Sequence, residues 1–270
     1  MIPMLTGLLD RISRTLQTPG LYPTPPAMVE RYDPETYTLE EARQGFATLP
    51  EMNCFLGVCE DGYPMLIQLA KPGNGAILLL SDDARSRTDL AQLMIESSVD
   101  RNAPTEFKFS VIHSAEENWK SFLEDGKNAS HLLARLGSNS SKASDWILHL
   151  ALLAEERSFG RRLGANTLVF LDEADFLEGV DANVRSNFIW LCQYGPQFGI
   201  RPVVSLSSEA ALEMPEVIQH IRTRIFGRMS NSNAFHLSSF SGLETEDFDA
   251  EREFIVRSEN SWIPFWTPNL

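Results

Sequence analysis

Thr167-Leu-Val-Phe-Leu-Asp-Glu173 is the stretch on which the reading of this chain turns: an uninterrupted apolar run, Leu168 to Leu171, that ends in two carboxylates. A short apolar run of this kind reads as a strand buried on both faces, with Asp172 and Glu173 delivered to its carboxyl-terminal edge. Two acids there can hold a divalent cation and polarise a water, or they can cap the next helix and make ion pairs. A second buried run, Ala76-Ile-Leu-Leu-Leu80, leads into Ser81-Asp-Asp-Ala-Arg-Ser-Arg-Thr88. The third runs through 202–206 into Ser207-Ser208. In open parallel sheets ligands gather at such strand ends, so three candidate edges are defined.

The sequence between these runs alternates strand and helix. Strands are expected over 76–80, 107–112, 167–171, 202–206 and 224–229. Helices are expected over 89–98, after Ser114 with Glu117 as a capping box, and over 143–158, 182–194 and 209–221. This pattern predicts an α/β fold with a mainly parallel sheet covered by helices on both faces. A hairpin is expected over Cys54–Val58 and Met65–Leu69, and Thr38 with Glu41 opens a short helix before it. A second hairpin, 253–257 with 262–266 around a Glu-Asn turn, is expected at a sheet edge.

Ahead of this body, Leu5, Leu8, Leu9, Ile12 and Leu16 line one face of an amphipathic helix, with Asp10, Arg11 and Arg14 opposite. Residues 17–30 carry Pro19, Gly20, Pro23, Pro25 and Pro26, which predicts a stiff linker. The expected organisation is therefore an arm and linker over 1–30 and one large domain over 31–270.

Composition limits the partners. With 270 residues at 43% hydrophobic content the chain can bury a large core, yet no apolar run approaches the length of a membrane span. The arm lacks the charged start and cleavage site of a secretory signal, so a cytoplasmic location is expected. A net charge of −14 argues against gripping DNA phosphates through an exposed surface. Cys54, Cys59 and Cys192 form no C-x-x-C pair and read as buried thiols. Asp145 and His149 stand one turn apart on a helix with no third ligand evident, so no metal site is assigned there.

The segment after strand 76–80 occupies the place of a phosphate-binding loop. Such a loop uses glycines so that successive backbone N–H groups converge on phosphate oxygens, and a lysine to reach the terminal phosphates. Laid on that spacing, Ser81 and Ser86 stand at the glycines, Arg87 at the lysine and Thr88 at the metal-binding hydroxyl. Asp82 and Asp83 place negative charge where phosphate would sit, and alternatively serve as an acidic helix cap.

The order of segments from about Phe55 to Trp266 resembles the FtsK/HerA family of RecA-like P-loop ATPases, which includes DNA translocases and secretion coupling proteins. Leu56 to Gly62 and Met65 to Ala70 are similar to that family's hairpin before its phosphate loop. Leu168 to Leu177 resembles its Walker B strand, Phe198 to Ser208 its sensor strand, Ile221 to Ser230 its following arginine-bearing strand, and 253–266 its last hairpin. The resemblance implies a RecA-like P-loop NTPase fold, with Asp172 and Glu173 as Walker B acids. It also implies Ser81, Ser86, Arg87 and Thr88 at a degenerate Walker A position, and Ser207 at the sensor position. Thr88 and Asp172 would hold magnesium if nucleotide binds, and Arg224 and Arg228 are candidates to act in trans on a neighbouring subunit.

The departures concentrate in the loop. An ATPase-defective relative, acting as a structural or regulatory subunit of a DNA-translocation or secretion-type assembly, is the leading expectation. No cofactor is then required; ATP and magnesium enter only if the atypical loop still binds. The expected partners are proteins: a homo- or hetero-oligomer, with an active family ATPase as one candidate. The alternatives are an active translocase with an unusual loop, and a protein-interaction module that uses no nucleotide.

Overall fold

The quoted strand lies deep inside the sheet. In the computed structural model, which describes residues 36–46, 49–161, 164–238, 240, 243–258 and 261–269, it is β6 (Asn166–Leu171), buried from Thr167 onward. Parallel neighbours flank it: β4 (Phe107–His113), with Val111 opposite Phe170, and β7 (Ile200–Leu206), with Val204 opposite Leu171. Strand β3 (Ile77–Leu80) lies beyond β7, and β8 (Thr223–Phe226) beyond β3, all parallel. The ten-stranded order is β2-β1-β10-β9-β8-β3-β7-β6-β4-β5. The chain therefore has the mixed α/β architecture anticipated from the alternation, with β3, β7 and β6 side by side and their carboxyl ends on one edge.

Each parallel strand is buried on both faces because helices cover both. Leu78 and Leu80 face a core shared with α5 (Ser141–Ser158), α6 (Ala182–Tyr194), α7 (Ser208–Glu213), α8 (Pro215–Ile218) and α9 (Asn231–Ser238). Ile77 and Leu79 face the opposite core, built with α2 (Ala84–Arg101) and α3 (Lys120–Glu124). A short α4 (Gly126–His131) leads from α3 to the edge strand β5 (Leu132–Gly137). At the other end α1 (Leu39–Phe46) packs Ala42 and Phe46 against Phe55 and Val58 of β1 (Asn53–Cys59). Its start is the capping box read from sequence: Thr38 N donates to Glu41 Oε2 at 2.8 Å and Glu41 N to Thr38 Oγ1 at 3.3 Å.

Several expectations are corrected. The tail hairpin, β9 (Glu253–Ser258) and β10 (Ser261–Trp266), is not at an edge. It bridges the parallel sheet to the first hairpin, because β9 pairs with β8 and β10 with β1, whose own partner β2 (Pro64–Gln68) forms the edge. Gly57 makes the junction: a Cβ there would run into the Trp266 carbonyl. Ser114 does not cap a helix; the chain makes a 3-10 turn, Glu116–Asn118, entered at Ala115 without a side-chain cap. The helix expected over 209–221 is two short ones, since Pro215 has no N–H to continue α7 and instead starts α8. Strand β5 and helix α9 were not anticipated. The largest correction concerns α2, which begins at Ala84, five residues before the expected start at Asp89. The arm and linker over 1–30 and the Glu259-Asn260 turn lie outside the described residues. Among the described residues no helix is long and apolar enough to cross a membrane.

Candidate functional site

The early start of α2 reshapes the phosphate-loop position. Only Ser81, Asp82 and Asp83 separate β3 from the helix, so Ala84 to Ser86 are helical rather than looped. Asp83 caps the helix: its Oδ1 accepts from Ser86 N at 2.7 Å. This is the acidic-cap alternative in atomic form, since Asp and Ser compete well for the free N–H groups of a first turn. The neighbouring amides are engaged as well. Asp82 N donates to Arg228 O at 2.8 Å, Asp83 N to Ser81 Oγ at 3.2 Å, and Ser81 N to Leu206 O at 3.4 Å. A backbone cradle for an oxyanion needs such amides free and convergent. Here they are turned onto the chain itself.

Arg87 fills the space beneath. Its side chain is only 2% exposed. Nε donates to Ser205 Oγ at 3.0 Å, one terminal nitrogen donates to the Ser81 carbonyl, and the other pairs with Glu173 Oε1. The guanidinium thus ties together the carboxyl ends of β3, β7 and β6. Glu173, at φ +56, stands in the left-handed region and remains partly exposed. Gly227 closes the edge from β8; a Cβ there would come within 2.9 Å of Ser81 Cβ and of the Phe254 ring.

The cation side is equally occupied. Asp172 is 4% exposed and accepts from Trp119 Nε1 at 2.7 Å; Thr88 Oγ1 stands 3.4 Å from its Oδ1. Burial pushes the Asp172 carboxyl above the usual carboxylate range, opposed by the Trp119 donor, the nearby Arg87 charge, Thr88 and His113. Beside it His113 is buried, and its Nδ1 finds no hydrogen-bond partner among the described residues. Burial first, then Arg135, lower its affinity for a proton, against the opposing charges of Glu116, Asp172 and Glu117.

The structure therefore brings Ser81, Ser86, Arg87, Thr88, Asp172 and Glu173 to one edge; Ser86 Oγ lies 3.3 Å from Ser81 Oγ. Ser207 is not with them. It caps α7, accepting from Ala210 N at 3.3 Å, and Ser205 takes the position against Arg87. The strand ends at Leu206, so Ser207 has already turned toward the helix. Arg224 directs its guanidinium inward to the carbonyls of Ile218, Ile221 and Leu237, whereas Arg228 is exposed at the carboxyl edge. Asp82, read with Asp83 as a repelling charge or a helix cap, links the edge to α7 by accepting from Ser208 N at 2.9 Å. Sequence reasoning missed Trp119 entirely, and nothing in Asn-Trp-Lys signalled it. Among the described residues no group of three His, Cys, Asp or Glu side chains forms a metal cluster.

At this edge the amides of Ser81, Asp82, Asp83 and Ser86 are bonded internally, and the buried Arg87 cation has its anion in Glu173.

No protein-family model matches the chain, and no curated protein matches it by sequence. Solved structures do match in fold. EccC of Thermomonospora curvata (ATPases 2 and 3, in complex with a signal sequence peptide) superposes with a TM-score of 0.72 at 13% identity, over 89% of this chain and 44% of that one. EssC of Geobacillus thermodenitrificans (ATPases 2 and 3) gives 0.66 at 12% identity, over 92% of this chain and 48% of that one. The pCW3 conjugation coupling protein TcpA, with ATPγS, gives 0.61 at 12% identity, over 88% of this chain and 70% of that one. The chain spans less than half the length of the first two. The fold is that of FtsK/HerA-type P-loop ATPase domains, as the segment order implied.

Proposed function

We propose that this chain is a non-hydrolysing domain of the FtsK/HerA ATPase fold, serving as a structural or regulatory subunit in a secretion- or conjugation-type assembly. One observation carries the reading: Arg87, at the register where a phosphate loop has its lysine, is buried and paired to Glu173. In an active site of this class a cation at that register reaches outward to a terminal phosphate, and the glutamate polarises a water. Here each neutralises the other. Glu173 is held away from any water-activating role, and every guanidinium nitrogen of Arg87 is already engaged within the edge. The assembly role rests on what the fold neighbours are, a Type VII secretion ATPase and a conjugation coupling protein. A domain that keeps the sheet while losing the phosphate cradle can still dock in such an assembly.

Calorimetric titration of Mg-ATP into the purified full chain tests the first half. No saturable heat and no phosphate release are expected. Micromolar binding with turnover, abolished in Glu173→Gln, would establish the active translocase instead. Light scattering tests the second half: self-association, or a stable complex with an active ATPase of the same fold, is expected. A strict monomer without such a partner would favour the nucleotide-free interaction module.

A further inference from the structure

The cation side of the edge is closed by a segment that has no part in the phosphate loop. Trp119, completely buried, stands between the 3-10 turn Glu116–Asn118 and α3. Its ring meets Phe122 edge-on with centroids 6.1 Å apart and lies 6.4 Å from the Phe170 ring on β6. The backbone around it is fastened on two sides: Gln92 of α2 donates to Asn118 O at 2.8 Å, and Glu116 pairs with Arg135 of β5. Asn128 Nδ2 bonds Phe122 O at 2.9 Å and closes the segment on itself. The result is a rigid element that aims one N–H at Asp172.

That N–H takes Asp172 Oδ2, one of the two oxygens a bound cation would use, and leaves Oδ1 beside Thr88 Oγ1. Magnesium and manganese keep a shell of oxygens, most of them water, around one or two carboxylates. An indole N–H is a donor with no lone pair to offer a metal, and the ring excludes the waters the shell requires. Trp119 and Arg87 share no hydrogen-bond partner among the described residues: Asp172 serves the first, and Ser81, Ser205 and Glu173 serve the second. Resting on the non-hydrolysing reading, we infer that residues 114–131 are a built-in plug that closes the cation side of the edge independently of the loop at 81–88. Restoring glycines and a lysine to that loop would leave Asp172 blocked. The chain carries two separate closures where one would abolish turnover.

The plug is read without nucleotide, by titrating Mn2+ into the full chain and following the free-ion electron paramagnetic resonance signal. Wild type and Trp119→Phe should show no saturable site that depends on Asp172. Trp119→Ala should gain one in the millimolar range, and adding Asp172→Asn to that variant should remove it. An Asp172-dependent site already present in wild type would overturn the plug, as would a folded Trp119→Ala that gains none. If Trp119→Ala fails to fold, a thermal double-mutant cycle of Trp119→Phe and Asp172→Ala decides. Tm losses well short of additive support the indole–carboxylate contact, and additive losses reject it. Nucleotide binding in the presence of a chelator reports on the loop alone, so the failure of either idea can be told from the failure of the other.

Discussion

Two buried arginines mark the two ends of strand β7, and they are held in opposite ways. At its amino end Arg201 is 3% exposed and has no carboxylate partner among the described residues; it donates to the carbonyls of Leu69, Lys71 and Gly75, the segment that leads into β3. Burial brings its pKa down to about 10, so it stays charged at neutral pH. At the carboxyl end Arg87 has a carboxylate, a hydroxyl and a carbonyl. The amino edge is a structural staple: three converging carbonyls have no other use for a guanidinium. The carboxyl edge gathers charged and polar groups that satisfy one another, as the proposed loss of hydrolysis requires. One buried cation holds backbone carbonyls alone; the other also holds a carboxylate.

The two ends should therefore lose unequally on substitution. Replacing Arg201 by Met should be the most damaging change, about 3–5 kcal/mol, because three buried carbonyls lose charge-assisted donors at once and water cannot reach them. Urea unfolding measures this through a shift in midpoint at constant slope. Arg87→Met should be milder, about 2–3 kcal/mol, since Glu173 keeps 29% of its side chain exposed and can recover hydration. If Arg87→Met proved the costlier, the carboxyl edge would be the principal staple of the sheet. If it bound ATP, Arg87 alone would be what keeps nucleotide out. Next in size is Gly227→Ala, expected to lose about 1–3 kcal/mol by overpacking, because its Cβ would meet both Ser81 and the Phe254 ring at 2.9 Å. A neutral result would mean that the edge has slack where the structure shows none.

The two arginines also show what the sequence disclosed. The strands around them were legible because apolar runs such as Ile77–Leu80 and Leu168–Leu171 have one reading, burial on both faces. That β3, β7 and β6 lie side by side was not read from the sequence; it is a property of the sheet. Arg87 was legible as a register position but not as an inward-facing side chain. Its direction follows from α2 starting at Ala84, and that start depends on a cap, Asp83, which competes with a loop reading of the same residues. Arg201 left no trace, since an arginine at a strand start reads as surface. Trp119 was illegible for a related reason: its partner Asp172 is 53 positions away, and no local period links an indole to a distant carboxylate. The tail hairpin was placed wrongly because pairing partners on its two outer sides are a property of the sheet, not of the hairpin.

The smallest expected effect concerns the acid that neither arginine neutralises directly. Among the described residues Asp172 has one close donor, Trp119, and no ion pair of its own, and burial raises its pKa above the ordinary carboxylate value. A carboxyl whose folded pKa lies above its unfolded one contributes most stability when protonated, below the unfolded value. That contribution is lost as pH rises through the folded pKa. Above that folded pKa the wild type carries a buried carboxylate whose desolvation outweighs its donors. An asparagine side chain in its place would keep an acceptor for the indole and present an amide that Thr88 Oγ1 can accept. Asp172→Asn should accordingly be neutral or stabilising at a pH above the folded pKa, by up to about 1 kcal/mol, seen as a Tm rise of about 2–4 °C at most. The advantage should shrink on acidification through the folded pKa, as the wild-type carboxyl takes up its proton. A lower Tm above that pKa with no narrowing in acid would mean that Trp119, Thr88 and Arg87 together outweigh desolvation. Asp172 would then be a working part of the fold, on the same footing as Arg201. A gain would mark it as a residue kept from an older chemistry at a small structural cost, the one member of the edge that its surroundings have not fully absorbed.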